Sequence, residues 1–364
     1  MQASKLAVRD VRVRAVCAPM RRPLTTSTGA VSVATLLLVD LRTNAGIVGR
    51  SYLFSIGTQN LKPIAALVEA MGEIVKGDAV APFEIERKLR ARYALLGVHN
   101  IVLFAIAGID AAAWDAWAQA LGQPLVRLLG AAPRPIPAYN SNGLGLLLLK
   151  ELPKAATDLL KGGFNAVKLR LGRSAAREDL EALRTVKKAI GPEVKLMVDF
   201  NQGLSVAEAI RRGHMIDAEG GVEWIEEPVR ADDFSGCSSI RREIATPIQI
   251  GENFMGPEQM AQALAAGASD YVMPDLERIG GVTGWMRAAA LAQGAGLEMS
   301  SHLFPEASCH LLAATPTCHW LEYVDWANAI LKDPLEVKDG FATIPDRPGT
   351  GVAWDEKAVK KHQL

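Results

Sequence analysis

Short apolar segments alternate with amphipathic helical segments from residue 131 onwards, and this repeat limits the possible folds more than any other feature. Eight apolar segments are spaced through this part of the chain, at residues 136–139, 166–169, 195–198, 222–225, 248–250, 271–273, 297–299 and 320–323. Helical periodicity falls between them, for example at residues 175–190, 206–219 and 281–293. Repeated β–α units indicate a parallel sheet, and about eight of them indicate closure into a (β/α) barrel of the α/β class. An open doubly wound sheet is the alternative, but no Gly-x-Gly-x-x-Gly motif follows any of these segments.

The first 130 residues have a different pattern, with strands first and helices after them. Apolar and charged residues alternate over 6–16, an apolar strand follows at 33–41, and helical periodicity covers about 60–76, 82–95 and 101–120. A proline cluster at 133–137 interrupts this order. We therefore expect an α+β domain at 1–130 and the barrel at 131–325. A C-terminal segment at 326–364, rich in Pro and Gly, is expected to pack back on the first domain.

Charge and cysteine content exclude several classes of function. The chain has 40 Lys and Arg residues and 40 Asp and Glu residues, so no net field attracts nucleic acid or an anionic membrane surface. Its longest uninterrupted apolar runs fall short of the ~20 residues that a membrane span needs. The four cysteines form no CxxC pair, which is typical of reduced thiols. The sequence predicts a soluble cytoplasmic protein that binds neither nucleic acid nor membrane.

Carboxylates stand at the ends of three consecutive predicted strands. Asp199, Glu226 and Glu252 follow one another at intervals of 27 and 26 residues, one β–α unit each. A parallel barrel would bring them to its C-terminal rim, where barrel active sites lie. Three like charges there would repel unless a cation neutralised them, and oxygen ligands suit Mg²⁺. A single acid in such a place is usually a helix cap or a surface ion-pair partner, but three in register favour a metal site. Glu227 should point to the opposite side of its strand and have a structural role or a role in supporting the metal ligands.

Other polar residues follow the neighbouring strands. Lys168 and Arg170 are two residues apart, so one strand presents both cations on the same side. Asp275, His302 and Glu322 end later strands. Cations on one side of a metal and a His–Asp pair on the other suit removal of the α-proton of a carboxylate. We expect His302 to be the general base, Asp275 to fix its tautomer, and a protonated Glu322 to donate a hydrogen bond to the substrate.

A series of ordered motifs resembles the enolase superfamily and, within it, the mandelate racemase/muconate lactonizing enzyme group. The motifs span nearly the whole chain and lie at residues 107–110, 167–170, 198–202, 224–228, 251–253, 273–275, 280–285, 300–304 and 319–322. This resemblance implies a modified (β/α) barrel preceded by an α+β capping domain. It also implies a homo-oligomeric, Mg²⁺-dependent enzyme that acts on a small-molecule carboxylate.

The same resemblance implies roles for individual residues. The ligands of Mg²⁺ would be Asp199, Glu226 and Glu252. The catalytic residues would be His302, Asp275, Lys168, Arg170 and Glu322. The substrate-binding residues would be Lys168, Asn201, Ser141, Leu24, Thr26 and Val31, the last three on a loop that closes over the substrate.

Arg170 is the main departure from the racemase pattern, which has a second lysine in this place. Because the guanidinium pKa of ~13.8 lies farther from neutrality than the lysine value of ~10.4, Arg170 is a poor second base. The first candidate reaction is racemisation or epimerisation of a 2-hydroxycarboxylate through an enediolate stabilised by the metal. The alternative is dehydration of an acid sugar, with His302 as the single acid and base. A barrel retained only to bind carboxylates is the non-enzymatic alternative.

Overall fold

The computed structural model describes residues 6–26 and 29–364. Its N-terminal part begins with a three-stranded antiparallel sheet in the order β1–β2–β3, formed by β1 (Val8–Thr26), β2 (Gly29–Thr43) and β3 (Val48–Ser55). A 3-10 turn (Thr58–Asn60) leads to α1 (Leu61–Val75), α2 (Pro82–Tyr93), α3 (Ile101–Ala120) and the short α4 (Leu125–Leu128). The apolar face of α1 packs against the sheet and α3, since Ile64, Val68 and Met71 recur at helical spacing and are buried.

The central helix α3 is buried on almost every side. It is long and apolar enough to cross a membrane by those two criteria, yet 83% of its most apolar stretch lies inside the protein. Two of its acids bond other parts of the chain. Asp110 accepts hydrogen bonds from Thr283, and Asp115 accepts them from Thr350 and from the backbone N–H of Arg50. This helix therefore joins the N-terminal part to the barrel and to the C-terminal segment.

Eight parallel strands form the barrel. They are β4 (Ile136–Asn140), β5 (Ala166–Arg170), β6 (Lys195–Asp199), β7 (Ile225–Glu226), β8 (Ile248–Ile250), β9 (Tyr271–Val272), β10 (Glu298–Met299) and β11 (Leu321–Tyr323). The first seven are followed by α5 (Leu152–Leu159), α6 (Ala176–Ile190), α7 (Val206–Glu219), α8 (Phe234–Glu243), α9 (Pro257–Ala265), α10 (Gly281–Ala295) and α11 (Pro305–Ala314). The α/β barrel expected from the repeat is therefore confirmed.

The ring closes between its last and first strands. β11 pairs in parallel with β4, with Leu321 opposite Ala138. On its other side, backbone hydrogen bonds join the β10 and β11 segments, including the bond from Ser301 N to Trp320 O at 2.9 Å. A closed ring brings the carboxyl ends of all eight strands to one rim.

The chain after β11 returns to the N-terminal sheet. It contains β12 (Val337–Lys338), β13 (Phe341–Ala342), which pairs with β4, and α12 (Glu356–His362). Ile330 and Trp354 share an apolar cluster with Val16 and Leu38 of the sheet. The Trp354 indole donates to Asp40 at 2.7 Å. The eighth strand is thus followed by a segment that packs on the cap, which makes the barrel a modified one.

Candidate active site at the rim of the barrel

Three carboxylates converge where the barrel strands end. One oxygen from each of Asp199, Glu226 and Glu252 lies within 4.8 Å of the other two. The strand register causes this, because Arg170 on β5 pairs with Asp199 on β6, and Asp199 pairs with Glu226 on β7. Glu252 follows β8 after Gly251, whose φ is +139° and whose added Cβ would lie 2.8 Å from Met273 N. Only glycine lets the chain turn this close to β9.

Lys168 lies in the middle of these acids. Its Nζ is 2.5 Å from Glu226 Oε1, 2.8 Å from Glu322 Oε1 and 3.4 Å from Asp199 Oδ2. Burial opposes the charge of Lys168, but the surrounding carboxylates outweigh burial and raise its pKa. Burial and the acids Asp199, Glu322 and Glu252 raise the pKa of Glu226 to about 8 despite Lys168. The acids therefore outnumber the cation that neutralises them.

The donor set fits a hard divalent cation. Every candidate ligand atom is a carboxylate oxygen, which Mg²⁺ prefers. The Asn201 backbone N–H donates to Asp199 Oδ1 at 2.7 Å, and its amide donates to Oδ2 at 2.9 Å. The Asn253 amide donates to Glu252 Oε1 at 3.2 Å. These bonds orient two of the three carboxylates, so Asp199, Glu226 and Glu252 suit Mg²⁺.

His302 lies on the other side of the acids. Its Nδ1 is 2.7 Å from Asp275 Oδ2, and its Nε2 is 3.4 Å from Glu252 Oε2 and 3.8 Å from Glu322 Oε2. Because Asp275 is an acceptor, it assigns the neutral ring's proton to Nδ1 and leaves Nε2 facing the acids. Burial lowers the pKa of His302, but Glu252, Glu322 and Asp275 outweigh burial and raise it to about 9. The structure brings the predicted base, its partner and the acids that suit Mg²⁺ together.

The contacts of Glu322 favour its ionised form, which is opposite to the expectation that it stays protonated. Burial alone would raise its pKa, but the cation of Lys168 and the ring of His302 lower it below its usual range. Its Oε2 accepts a hydrogen bond from the backbone N–H of Leu303 at 3.0 Å. Leu303 and Phe304 both have positive φ, near +48°. Glu322 thus bonds Lys168 and the strained segment that follows His302.

Arg170 is bound to the loop that follows β4. Its Nη1 donates to the carbonyls of Ser141 at 2.7 Å and Gly143 at 3.2 Å, and its Nη2 donates to Ser141 Oγ at 2.8 Å. Its Nε lies 3.9 Å from Asp199 Oδ2 and has no hydrogen-bond partner in the described part of the chain. The hydroxyl of Ser141, predicted to bind substrate, accepts a bond from Arg170 and keeps its own proton to donate.

The N-terminal hairpin docks on this same loop. Leu146 N donates to Thr25 O at 2.8 Å, and a Cβ on Gly145 would lie 2.4 Å from that oxygen. Leu24 pairs with Val31 across the hairpin, and Thr26 Oγ1 donates to Gly29 O at 3.3 Å. Leu24 is buried among side chains of the sheet and of the C-terminal segment.

A polar layer lies behind Glu252, and sequence reasoning missed its arginine, Arg278. Asn253 donates to Glu227 Oε1 at 2.7 Å, and Arg278 donates to Glu252 O at 3.1 Å and to the Asn253 side chain. Glu227 therefore lies beside Glu252, and the expectation that it points to the opposite side is wrong. The strand ends at Glu226, and Glu227 has a φ of +37°. Asn253 belongs to the motif at residues 251–253, but no motif or spacing in the sequence indicated that Arg278 would lie beside it.

Comparison with known proteins agrees with this geometry. Residues 8–130 match the family described as "Mandelate racemase / muconate lactonizing enzyme, N-terminal domain". Residues 151–358 match "Enolase C-terminal domain-like".

Named relatives cover most of the chain. The L-talarate/galactarate dehydratase of Salmonella typhimurium is 33% identical over 90% of this chain and 83% of its own length. The 3,6-anhydro-alpha-L-galactonate cycloisomerase of Streptomyces coelicolor is 32% identical over 93% of this chain and 94% of its own length. A Bradyrhizobium enolase solved with magnesium and mandelic acid is 42% identical, covers 100% of both chains and superposes with a TM-score of 0.95. With both parts matched and the rim acids in place, the chain belongs to the enolase superfamily, in its mandelate racemase/muconate lactonizing enzyme group.

Proposed function

We propose that the protein is a Mg²⁺-dependent dehydratase that removes the α-proton of a 2-hydroxycarboxylate with His302 and eliminates a β-hydroxyl group. One observation carries this proposal: of the three basic side chains in the site, only His302 has a nitrogen that can accept a proton and that makes no close hydrogen bond with any described residue. Nε2 of His302 faces the acids, whereas Lys168 is surrounded by carboxylates and Arg170 is bonded to the β4 loop. A substrate in this site therefore meets one proton acceptor.

The rim residues divide the binding of the substrate between them. Asp199, Glu226 and Glu252 would hold Mg²⁺, which when bound stabilises negative charge on the substrate carboxylate as the α-proton leaves. Lys168 would contact the same carboxylate, since its buried ammonium already binds carboxylate oxygens. Asn201, which orients Asp199, is proposed to contact the 2-hydroxyl side of the substrate.

His302 performs both proton transfers in this proposal. Its Nε2 takes the α-proton, and Asp275 stabilises the resulting imidazolium through Nδ1. The imidazolium then returns that proton to the β-hydroxyl as its C–O bond breaks, so one water leaves. The enol that remains tautomerises to a 2-keto acid. Glu322 takes no proton and positions Lys168 and the segment after His302.

In this proposal Arg170 binds and orients the substrate and transfers no proton. Two carbonyls and one hydroxyl hold its guanidinium, whose ordinary pKa of ~13.8 excludes proton exchange near neutrality. Its Nε remains for a substrate oxygen. Ser141 then contributes by fixing Arg170, and Leu24, Thr26 and Val31 by covering the substrate.

Racemisation of a 2-hydroxycarboxylate is the second candidate. It is supported by the apolar pair Leu24 and Val31 on the hairpin, which suits an apolar substituent, and by the relative solved with mandelic acid. Racemisation requires a proton donor on the face opposite His302, and Arg170 stands on that side in the racemase pattern. This requirement makes dehydration the better supported reaction.

One assay separates the two reactions. The protein is incubated with Mg²⁺, D₂O and a panel of aldonic, aldaric and simple 2-hydroxy acids, and each sample is followed by NMR and by a keto-acid reagent. Dehydration predicts a 2-keto acid from acids that carry a β-hydroxyl. Inversion at the α-carbon without a keto acid would contradict it. A protein that binds carboxylates tightly but neither exchanges nor eliminates would contradict both.

We further propose a cytoplasmic homo-oligomer with a cap at 1–130, a barrel at 131–325 and a returning segment at 326–364. Free thiols at all four cysteines support a reducing compartment. Light scattering after gel filtration tests the oligomer, since a monomeric mass would contradict it. Limited proteolysis near residues 130 and 325 tests the boundaries.

A further inference from the structure

Glu277 lies between the cap and the histidine side of the site. It is buried at 4% exposure, two residues after Asp275, and neither the motifs nor the proposed reaction assigns it a role. Its carboxylate Oε2 accepts a hydrogen bond from the backbone N–H of Phe54 at 2.7 Å. Phe54 lies on β3, an edge strand of the cap sheet. Its N–H points away from the neighbouring strand β2 and bonds a side chain of the barrel.

The same residue also holds the partner of the base. The backbone N–H of Glu277 donates to Asp275 Oδ1 at 2.8 Å, and the other oxygen of Asp275 is 2.7 Å from His302 Nδ1. Three hydrogen bonds therefore connect Phe54, Glu277, Asp275 and His302 in sequence. A shift of the Glu277 side chain changes where its own backbone N–H points, and with it the carboxylate that orients the imidazole.

A second contact on the same strand provides a comparison. The Tyr52 hydroxyl donates to Glu306 Oε2 at 2.7 Å, and its ring lies 5.1 Å from that of Phe304. Glu306 lies in the first turn of α11 and has no described bond to Asp275 or His302. Tyr52–Glu306 therefore docks the strand with no described hydrogen bond to Asp275 or His302.

From these contacts we propose that Glu277 is a positioning residue that couples docking of the β3 edge to the alignment of Asp275 with His302. This proposal rests on the proposed function, since it assumes that His302 is the base. A buried polar group must be bonded to be tolerated, so loss of either partner disturbs the link. Burial and neighbouring Asp275 raise the pKa of Glu277 well above its usual value. Glutamine is also neutral and keeps an acceptor oxygen, so the Glu277→Gln substitution should preserve the hydrogen bond from Phe54.

The test compares three variants. Glu277→Met keeps the size of the side chain and removes the acceptor, Glu277→Gln keeps the acceptor, and Tyr52→Phe removes only the contact with Glu306. For Glu277→Met we expect kcat for α-proton exchange to fall about tenfold with KM unchanged, because misaligned groups slow the chemical step more than binding. Glu277→Gln should stay within about twofold of wild type, and Tyr52→Phe should leave kcat unchanged.

Amide hydrogen exchange measured without substrate tests the link independently of turnover. Glu277→Met should increase exchange in peptides covering residues 52–55 and 275–279, whereas Tyr52→Phe should affect only the first. Unchanged exchange at 275–279 in Glu277→Met would overturn the proposal, as would equal loss of kcat in Glu277→Gln. If the wild type exchanges the α-proton of no acid tested, the proposed function fails. Amide exchange at residues 275–279 then still tests whether Glu277 links the cap strand to Asp275.

Discussion

The two sides of the site both carry basic side chains, but the nitrogens of these side chains differ in how they are bonded. The lysine wall, Lys168 and Arg170, has its cations bonded to carboxylates and to loop carbonyls. The histidine wall, His302 and Asp275, bonds one imidazole nitrogen and turns the other towards Glu252 at 3.4 Å. Both walls lie at the ends of barrel strands, so position alone does not distinguish them. What distinguishes them is whether the cationic nitrogen can lose its proton within the working pH range, which an imidazole can do far more readily than an ammonium held by three carboxylates or a guanidinium.

In the proposed reaction, this difference gives the lysine wall the binding of charge and the histidine wall the transfer of protons. The acids around Lys168 raise its pKa, which keeps it an ammonium and suits it to bind a carboxylate. The acids around His302 raise its pKa to about 9 in the metal-free chain, and a cation bound to Glu252 would offset this effect and bring the pKa towards the range that suits a general base.

Replacing the base should have the largest effect. His302→Asn keeps a polar group but removes the proton acceptor, so the rate of α-proton exchange should fall by about 10³-fold, within the usual contribution of a general base. The measurement is NMR of deuterium incorporation in D₂O with Mg²⁺. His99→Asn is the control, because His99 is exposed and far along the chain from the rim. Comparable exchange by His302→Asn and wild type would remove the histidine wall from the mechanism.

Lys168→Met should destabilise the metal-free protein by about 4 kcal/mol, because it leaves several buried carboxylates without their cation. Urea unfolding measures this effect, and added Mg²⁺ should restore much of the loss. Lys195→Met is the matched control, since its pair with Glu223 is exposed and should contribute less than about 1 kcal/mol. Equal destabilisation by the two variants would show that Lys168 does not balance the acids.

Metal-free stability should fall as pH rises from 6.5 to 9. His302 has a pKa of about 9 in the folded chain against ~6.5 unfolded, so its stabilising charge is fully present below pH 6.5 and lost by about pH 9. The expected loss is about 3 kcal/mol in the free energy of unfolding. Buried acids such as Glu226 add a loss of the same sign, so His302→Asn is the control that isolates the imidazole. A variant whose slope matches wild type would contradict the assignment.

Arg170→Lys should make the lysine wall more like the histidine wall, because it introduces a group that can lose its proton. The three donors of an ammonium lie on one nitrogen and cannot span the two carbonyls and the hydroxyl as the planar guanidinium does, so turnover should fall about tenfold. The same change introduces a base that can titrate, so slow exchange from the opposite face should appear. Ser141→Ala loses one of the three bonds and should cost about threefold. The readout is the rate and stereochemistry of exchange, and faster dehydration by Arg170→Lys would contradict the positioning role.

The barrel and the convergence of its three rim acids could be predicted because both depend on spacing. One carboxylate per β–α unit fixes a shared rim whatever the side chains between them, and Asp199, Glu226 and Glu252 do converge. Strand lengths were harder to predict. The segment predicted at 222–225 is a strand only at Ile225–Glu226, and the strand predicted at 6–16 continues to Thr26 because the hairpin keeps pairing with β2.

The partners of the charged groups could not be predicted, because they come from distant parts of the chain. Arg170 is held by a loop 27 to 29 residues earlier, and Glu322 is ionised by a lysine from another strand. The role of Glu277 depends on a cap strand more than 200 residues away, with an N–H that no motif marks. Sequence spacing predicts which residues share a rim, while their protonation depends on contacts that only the folded chain provides.

The most direct test of the single base is the stereochemistry of exchange on a 2-hydroxy acid that lacks a β-hydroxyl. Each enantiomer of mandelate is incubated with the protein and Mg²⁺ in D₂O, and deuterium and configuration at the α-carbon are followed together. One acceptor on the histidine wall predicts that a single enantiomer exchanges, keeps its configuration, and stops exchanging in His302→Asn. Exchange of both enantiomers with inversion would show a second base on the lysine wall and contradict the account.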